Sequence, residues 1–506
     1  QPMISACGRY VLIFNGEVYN FRELRKQFNY PYISNTDTEV VLAAWSEKGS
    51  DAIELFEGMY AFAMWDKKER KLTLVRDRMG VKPLYYSHKN GNFVFSSEIR
   101  ALLASGVVEK KISHTSLVDY LRYQTVQTPD TILEGVKMLP PATVLEYYPD
   151  DDEVKLYKYW YLRNISSNPR LSYEEVKEEV RRLFFAAVEK RLVADVPFGA
   201  FLSGGIDSSA VVGAMSRFSD HKVKTFTITF AEDDYSEAPY ARHIAEMNNT
   251  DHHEIRLSPE HFLEHLPSAL SAMDHPSGDG PNTWMVSKAT KEAGIDMALS
   301  GLGGDEVFCG YAIFPRMVQL QKIKALWGLP GGIRKLTGKA LQAVKPGVAS
   351  NKIASLLAMQ KYDFNSFYAQ SRQVLSDDQI ESILNFSVEE NHLPVDWLDE
   401  EGWELSNDNL LSRVSAAEME TYMQNVLLRD SDQMSMAHAL ELRVPFMDHI
   451  LIEFVLGLPD QIKYPSTPKK LLVDSLPDLL PDYIVNRTKM GFVFPWEHWL
   501  RNELFG

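Results

Sequence analysis

One turn constrains the fold of this chain more than any other stretch: Ser203-Gly204-Gly205-Ile206-Asp207-Ser208-Ser209. The apolar run 192–202 precedes it and is typical of a buried strand, and 210–215 follows it with the composition of a helix. A turn between a strand and a helix leaves backbone N–H groups free at a positive helix end, which suits phosphate. It lacks the Gly-x-x-x-x-Gly-Lys-Ser/Thr spacing of a Walker A loop. A bare Ser-Gly-Gly would favour an ordinary turn, but the full string favours a phosphate loop of another kind.

A second glycine-rich loop, Ser300 to Glu306, also follows a short apolar run, Met297-Ala298-Leu299. Between the two loops, the strand-like segments 223–230 and 252–255 alternate with helix-like segments. This alternation predicts a doubly wound parallel sheet, in which ligands bind beyond the carboxyl ends of the strands. Both loops should therefore face one pocket.

Residues 1 to about 160 have a different pattern, in which short β-like segments alternate with turns and helices are sparse. An acidic turn cluster at 147–153 and a loop at 166–169 follow. A chain of 506 residues is long enough for two or three domains. We therefore predict a sheet-rich domain at 1–160 and a second domain at 170–506.

Five segments of the first domain resemble the glutaminase domain of glutamine-hydrolysing asparagine synthetases. They are Phe14–Asn20, Ser34–Val40, Phe56–Asp66, Arg76–Tyr86 and Phe95–Leu102. The resemblance implies a class II glutamine amidotransferase with an N-terminal-nucleophile fold, in which two stacked β-sheets are flanked by helices.

The same resemblance implies how glutamine would bind. The Asn15 side chain and the Gly16 N–H would form an oxyanion hole, since two donors stabilise the charge that develops on the amide oxygen. Glu17 and Asp37 would hold the α-amino group of glutamine. Without the resemblance, Asn15-Gly16 would be interpreted as a hairpin turn that ends the preceding strand.

The nucleophile of that family is a cysteine at the mature N-terminus, whose own amino group serves as the base. This chain begins at Gln1, and Cys7 lies only eight positions before Asn15. We interpret Cys7 as a structural or incidental cysteine. We expect the natural protein to carry a further segment in front, with the catalytic Cys and an Arg that binds the glutamine carboxylate.

The chain from about 170 onward resembles the synthetase domain of the same enzymes, an ATP-pyrophosphatase that splits ATP into AMP and pyrophosphate. By this resemblance Asp207 and Asp305 share Mg²⁺, a cation that prefers oxygen ligands. Lys469 neutralises the transferring phosphoryl group, with Lys470 as a rival one place along, and 430–446 lines a passage for ammonia. The implied ATP-binding residues are Leu202, Ser203, Gly204, Gly205, Asp207, Ser208, Ile228, Ser300 and Gly301.

Two departures from the family pattern concern the acceptor. Leu302 stands where those enzymes carry a glutamate, and a leucine cannot do acid–base work; Glu441 is a candidate to cover that role. An arginine expected near Gly278 is absent, and Asp279 lies there instead. An anion in place of a cation should weaken the binding of a dicarboxylate such as aspartate.

The predicted activity is glutamine-dependent amide formation, with L-aspartate as the leading acceptor. Alternatives are the same chemistry on a uronic-acid sugar or a cell-envelope carboxylate, a lactam-forming relative, and a nonenzymatic ATP-binding protein. The expected partners are glutamine, ATP and a carboxylic acid, and the resemblance implies a homodimer.

Composition limits the remaining classes. The net charge of −16 argues against nucleic acid as a partner, so ATP would need locally focused positive charge. The chain contains 2 cysteines, which implies no disulfide framework and fits a reducing cytoplasm. No apolar run approaches the ~20 residues that a membrane-spanning helix needs.

Overall fold

In the computed structural model of this chain, the described residues are 1–162, 165, 171–232, 235–277, 279–345, 347–359, 362–385, 387–388, 393, 409–488, 490 and 494–501. Within 1–162, two antiparallel sheets pack against each other. The larger has the order β1-β2-β3-β4-β8-β9 and the smaller has the order β6-β5-β7. The strands β1 to β9 are Met3–Ile4, Tyr10–Val18, Gly58–Asp66, Lys71–Arg76, Tyr85–Lys89, Asn92–Ser96, Lys137–Met138, Thr143–Tyr148 and Glu153–Lys158.

Aromatic and aliphatic side chains join the two sheets. Phe93 of β6 stacks on Tyr147 of β8 with ring centroids 4.5 Å apart, and Leu74 and Leu145 are buried in the same cluster. Helices lie outside this pair of sheets. They are α1 (Phe21–Arg25), α2 (Asp37–Lys48), α3 (Ile99–Ala104) and α4 (His114–Tyr123), with a 3₁₀ turn at Gly49–Leu55.

Strand β2 corrects one expectation from the sequence. It does not end at Asn15-Gly16 but continues to Val18, paired with β3 from Tyr10 to Val18. Gly16 has φ +137°, and a Cβ there would lie 2.7 Å from the Tyr60 Cα of the neighbouring strand. A glycine is required here by close strand pairing, not by a turn.

The second domain contains a parallel sheet, and this confirms the predicted doubly wound architecture. Among the described residues its order is β12-β11-β10-β13-β14, and each neighbouring pair is parallel. The strands β10 to β14 are Phe198–Phe201, Lys224–Thr229, Asp251–Arg256, Met297–Leu299 and Glu441–Arg443.

Helices cover both faces of this sheet and extend the domain beyond it. Phe184, Val212, Leu299, Phe446 and Leu472 share its largest buried cluster. The helices α5 to α22 are Tyr173–Arg191, Ile206–Phe218, Ala238–Met247, Pro259–Ala272, Gly280–Glu292, Gly304–Val307, Ile313–Lys322, Gly331–Val344, Val348–Ala358, Phe364–Arg372, Asp377–Leu384, Leu410–Glu418, Arg429–Met436, His449–Leu456, Asp460–Lys463, Lys470–Ser475, Asp482–Val485 and Trp496–Arg501. Further 3₁₀ turns lie at Lys324–Gly328 and Pro445–Met447.

A π-helical segment, Met419–Leu428, joins α16 to α17 and lies where the two domains meet. The buried Asn425 side chain accepts hydrogen bonds from the Thr128 N–H at 3.0 Å and the Thr128 hydroxyl at 2.6 Å. Further along, Lys82 Nζ of the first domain lies 2.7 Å from Asp432 Oδ1 of α17. Polar contacts between buried side chains therefore tie the domains together.

None of the helices in the described part of the chain combines the length and the apolar content needed to cross a bilayer.

Candidate active site

Both glycine-rich loops open onto one cavity of about 920 Å³ at the carboxyl ends of β10 and β13, as the alternation of strands and helices predicted. Each loop follows its strand directly, so the topology of the sheet brings residues about a hundred positions apart into contact. The cavity lining includes Leu202, Ser203, Gly205, Asp207, Ser208, Ile228, Ser300, Gly301, Leu302, Asp305 and Lys469 from the predicted set.

The first loop, Ser203–Ser208, is held by its own side chains. The Ser203 and Ser208 hydroxyls lie 3.1 Å apart, and the Gly205 N–H donates to Ser203 Oγ at 3.2 Å. Gly204 has φ +70°, and a Cβ there would lie 2.5 Å from the Ala241 backbone nitrogen. The loop therefore brings bare backbone and hydroxyl groups to the cavity next to the start of α6, an arrangement that suits phosphate.

The second loop packs so closely on the first that its glycines have no room for side chains. A Cβ on Gly301 would lie 2.7 Å from the Ser208 backbone nitrogen, and a Cβ on Gly304 would overlap the Asp207 carboxylate. A Cβ on Gly310, just beyond this loop, would overlap the carboxylate of Asp305. These contacts fix the relative position of the two aspartates.

Lys469 joins the two loops electrostatically. Its ammonium donates to Asp207 Oδ2 and lies 2.6 Å from Asp305 Oδ1. Only 6% of the residue is exposed. Burial acts to lower its pKa, but the two carboxylates outweigh that effect and raise it, so the lysine is charged. Lys470 instead pairs with Asp474 on its own helix, α20.

The two aspartates would provide only part of the coordination of a divalent cation and do not form a complete metal site by themselves. Asp207 and Asp305 converge on one point, which the Lys469 ammonium contacts. No group of three or more His, Cys, Asp or Glu side chains in the described part of the chain is arranged to hold a metal. At a bound nucleotide, Mg²⁺ is usually held by one or two carboxylates of the protein together with phosphate oxygens, and the two aspartates fit this pattern.

The part of the cavity away from the phosphate loop is acidic and aromatic. Its lining includes Asp279, Glu306, Tyr311 and Tyr422. Burial, and then repulsion from Asp430, raises the pKa of Asp279 to about 6. Burial, and then repulsion from Asp305, raises the pKa of Glu306 to about 7. Gly278, predicted beside Asp279, lies outside the described residues.

Glu441 lies elsewhere, so the geometry does not join it to Leu302. It is the first residue of β14, in register with Met297 at the start of β13, whereas the cavity lies at the other end of these strands. Its carboxylate accepts from Arg443 Nε at 2.7 Å. Arg443 Nη2 in turn lies 3.5 Å from Glu17 Oε2 of the first domain.

The residues predicted to bind glutamine cluster at that same interface. Asn15 Nδ2 donates to the Ser97 hydroxyl at 3.2 Å, and Asp37 at the start of α2 accepts from the Val18 N–H at 2.9 Å. Burial, and then repulsion from Asp37, raises the pKa of Glu17 to about 8. Cys7 is exposed in the turn between β1 and β2.

Several lining residues, Glu237, Glu306, Tyr311 and Tyr422, were not predicted from the sequence, whereas Arg487 begins a segment that resembles a family loop near the acceptor end. Glu237 and Arg487 form an ion pair, and the Arg487 guanidinium lies 4.6 Å from the Tyr240 ring centroid. Tyr311 and Tyr422 come from separate helical regions and meet only in the fold. Glu306 directly follows Asp305, and that adjacency was the one local signal that could have identified it.

Comparison with known proteins matches each part of the chain to a family model. The asparagine synthase model matches residues 179–506, and the glutamine amidotransferase domain model matches residues 1–160. The chain is 30% identical over 514 residues to glutamine-hydrolyzing asparagine synthetase 1 of Bacillus subtilis (strain 168), and the match covers 100% of this chain and 79% of that protein.

More distant matches include a fungal protein and a solved structure. Amidase chry2 of Gibberella zeae is 28% identical over 539 residues, covering 99% of this chain and 79% of that protein. The glutamine phosphoribosylpyrophosphate amidotransferase of B. subtilis aligns with a TM-score of 0.24 and 13% identity, over 60% of this chain and 64% of that one, a likeness too low to bear on the fold. With both family models and full-length relatives in agreement, the chain belongs to the asparagine synthase family.

Proposed function

We propose that this protein is a glutamine-dependent, amide-forming ligase. ATP adenylates a carboxylate, nominally that of L-aspartate, and ammonia derived from glutamine converts the acyl-adenylate into an amide, with release of AMP and pyrophosphate. The observation that carries the proposal is the contact of Lys469 with both Asp207 and Asp305, between two glycine-rich loops of one cavity. A buried lysine between two acids and two glycine-rich loops has no evident use in a merely structural protein.

The phosphate end of the cavity has the groups that nucleotide binding needs. Ser203, Gly205 and Ser208 present hydroxyl and N–H donors at the start of α6. Leu202 and Ile228 are buried apolar residues of the lining and would flank the adenine. Ser300 and Gly301 of the lining would complete the contact surface for the triphosphate and the ribose, whereas Gly204 packs against Tyr240 and Ala241 and would shape the turn.

Asp207 and Asp305 would hold Mg²⁺ in this proposal, and the ion would neutralise the triphosphate and orient it. When MgATP binds, the Lys469 ammonium exchanges a carboxylate contact for a phosphate contact. Its positive charge then stabilises the negative charge that develops on the leaving pyrophosphate.

Two displacements make up the synthetase reaction. An oxygen of the acceptor carboxylate bonds to the α-phosphorus of ATP as the bond to pyrophosphate breaks. Ammonia then bonds to the activated carbonyl carbon, AMP leaves with the electron pair of the carbon–oxygen bond, and the nitrogen loses a proton. In this proposal one cavity holds both reactants, and their proximity would supply much of the rate enhancement.

The first domain would supply the ammonia. Asn15 and Gly16 would stabilise the oxyanion of glutamine hydrolysis, and Glu17 and Asp37 would bind the glutamine ammonium. Glu17 lies 3.5 Å from Arg443 of the second domain, and the charge of Glu441 acts on both Glu17 and Asp37. In this proposal ammonia would pass along that interface and the 430–446 segment. A homodimer and a cytoplasmic location belong to the same proposal.

Replacement of Lys469 tests the proposal directly. With MgATP, ammonium chloride and L-aspartate, Lys469→Met should lower kcat for pyrophosphate release by about 10²–10³-fold, as expected for loss of one preorganised charge stabiliser. Lys470→Met is the matched control, because Lys470 is paired with Asp474, and it should stay within about threefold of the parent protein. Equal losses in both variants, or no pyrophosphate from the parent protein with any acid, would contradict the proposal.

A second acceptor class is favoured by one observation. Leu302 and Asp279 line the cavity where the family pattern has a glutamate and an arginine. The same chemistry on an acid other than aspartate is therefore the second candidate, and mass spectrometry of the amide product separates the two.

A further inference from the structure

The acceptor end of the cavity is defined here by Asp279, Leu302, Glu306, Tyr311 and Tyr422. These residues come from the start of α9, the second glycine-rich loop with α10, the segment before α11, and the π-helical segment. Their chemistry shows what part of an acceptor this end of the cavity can recognise.

Asp279 has a carboxylate without an ion-pair partner among the described residues. Its Oδ1 accepts from the Asn282 amide at 3.2 Å, a neutral contact. The nearby Asp430 takes the available positive charge, because Arg429 Nε lies 3.6 Å from Asp430 Oδ1. Ser277 links the two acids by donating to Asp430 Oδ2 and accepting from the Asp279 N–H. Asp279 thus presents to the cavity a carboxylate that no described cation pairs with.

Glu306 provides an independent sign of a missing donor. It is 0% exposed, and its Oε1 accepts from the Tyr311 hydroxyl at 2.9 Å. Its Oε2 is buried and receives no hydrogen bond from another described residue. Buried carboxylate oxygens are ordinarily paired, so a lining oxygen in this state indicates a ligand that donates.

The aromatic side chains at this end also favour positive charge. The rings of Tyr311 and Tyr422 meet edge to face with centroids 6.1 Å apart. The Arg372 guanidinium, which is not part of the lining, already lies 4.4 Å from the Tyr422 centroid. Burial, and then the charge of Asp279, raises the pKa of Tyr422 to about 12, so the ring stays neutral and able to attract a cation.

Each described cation of the cavity lining already has an ion-pair partner. Lys469 is bound to Asp207 and Asp305 at the phosphate end. Lys470 pairs with Asp474, and Arg487 pairs with Glu237 beside the first loop. A second carboxylate on the acceptor would therefore meet acids and tyrosines at this end, where no cation among the described lining residues is left unpaired.

We propose that the acceptor is an amino acid recognised through its ammonium group, which Asp279 binds beside Tyr422 and Glu306, and not through a second carboxylate. This inference rests on the proposed amide-forming function and specifies its substrate class. It separates amine-bearing acids from neutral sugar acids and from simple dicarboxylates.

Four acids isolate the two groups of the reference acceptor. L-aspartate has both the amine and the second carboxylate, 3-aminopropanoate keeps only the amine, succinate keeps only the second carboxylate, and propanoate has neither. Loss of a charge-assisted contact predicts that kcat/KM for pyrophosphate release falls by about 10–100-fold from aspartate to succinate. Loss of the second carboxylate should lower it by at most about fivefold, because each described cation of the lining already has an ion-pair partner. The opposite order would overturn the inference.

A variant assigns the effect to Asp279. Asp279→Asn should lower kcat/KM for 3-aminopropanoate by about tenfold or more while changing it for propanoate by less than about threefold. Glu292→Gln is the control on the same helix, since Glu292 is exposed and paired with Lys288; it should change neither value. An equal loss with all four acids would show that Asp279 is structural and would overturn its assignment.

Direct binding distinguishes failure of the inference from failure of the proposed function. Titration calorimetry with Mg²⁺ and a nonhydrolysable ATP analogue measures the affinities of the same four acids without turnover. Absence of pyrophosphate with every acid would refute the proposed function alone, if 3-aminopropanoate still binds more tightly than succinate. Tighter binding of succinate would refute the inference even if catalysis is observed.

Discussion

At the scale of single residues, the site depends on glycines, which leave room because they have no side chain. Gly301, Gly304 and Gly310 let the two loops approach until the carboxylates of Asp207 and Asp305 contact one lysine. Helical or strand propensity gives no reason for glycine at these positions. The reason is the close approach of another part of the chain.

Gly304→Ala should therefore damage the site without unfolding the protein. The new Cβ would overlap the Asp207 carboxylate and displace it from Lys469. We expect MgATP affinity, measured by calorimetry, to fall by about tenfold or more, the loss that follows from one charge-assisted contact.

Gly332→Ala is the matched control, because Gly332 lies in α12 and a Cβ there meets nothing within 4 Å. It should leave MgATP affinity unchanged and raise the free energy of unfolding by about 0.5–1 kcal/mol. Unchanged affinity in the Gly304 variant would show that the loops can separate at little cost.

At the scale of elements, the π-helical segment Met419–Leu428 contributes both to the nucleotide cavity and to the contact with the first domain. Tyr422 lines the nucleotide cavity, and Asn425 three positions later binds the first domain. Wide helical turns of this kind are rare and commonly lie at functional sites. Nothing in the local composition of the segment distinguishes it from an α-helix.

Asn425→Ala should weaken the contact between domains. It removes the acceptor of the Thr128 N–H and hydroxyl and the donor to Gln127 Oε1, and leaves buried partners unsatisfied. We expect a loss of about 1–3 kcal/mol in the first transition of urea unfolding. Ammonium-driven pyrophosphate release should stay within about twofold, because the change in free energy falls on the interface.

Asn92→Ala is the control for that experiment, since Asn92 is exposed on β6 and should change unfolding by less than about 0.5 kcal/mol. If the Asn425 variant lost no more free energy of unfolding than this control, the domains would be held together by other contacts.

At the scale of the whole molecule, the short edge strand β14 separates the two sites. Successive side chains of a strand point to opposite faces. Leu442 accordingly contributes to the nucleotide cavity, whereas Glu441 and Arg443 lie on the side of Glu17 and the glutamine residues. Strand β14 thus contributes one face to each of the two proposed sites.

This juxtaposition predicts pH-dependent binding of glutamine. Burial, and then the charges of Asp37, Glu441 and Asp195, raise the pKa of Glu17 to about 8, although Arg443 acts to lower it. Its protonated form, which dominates below that pH, cannot pair with an ammonium. Glutamine affinity, measured by calorimetry, should therefore rise by up to about tenfold per pH unit between pH 6 and 8 and then level off.

Glu17→Gln should bind glutamine more weakly and without this pH dependence. A parent protein whose affinity is the same at pH 6 and pH 8 would show that Glu17 is already ionised or does not contact the ligand.

The sequence by itself determined the parallel sheet and the two glycine-rich loops, because each depends on periodicity or on a motif of adjacent residues. For the first domain the residue pattern predicted only a sheet-rich fold, and the stacking of two sheets was implied by the family resemblance. It also indicated that both loops should meet, since the carboxyl ends of parallel strands share one edge. These features are local in the chain, or follow from topology alone, and so can be deduced before the structure is known.

Only the tertiary structure decided the positions that depend on packing between distant segments. Gly16 lies inside a strand because of its neighbour β3, not in the turn that Asn15-Gly16 suggests. Glu441 faces the glutamine residues rather than Leu302, because the register of β14 places it at the start of the strand. Tyr422 and Glu306 reach the same cavity although 116 positions separate them in the chain. Such meetings are set by the long-range burial of apolar surface, which no local pattern of residues records.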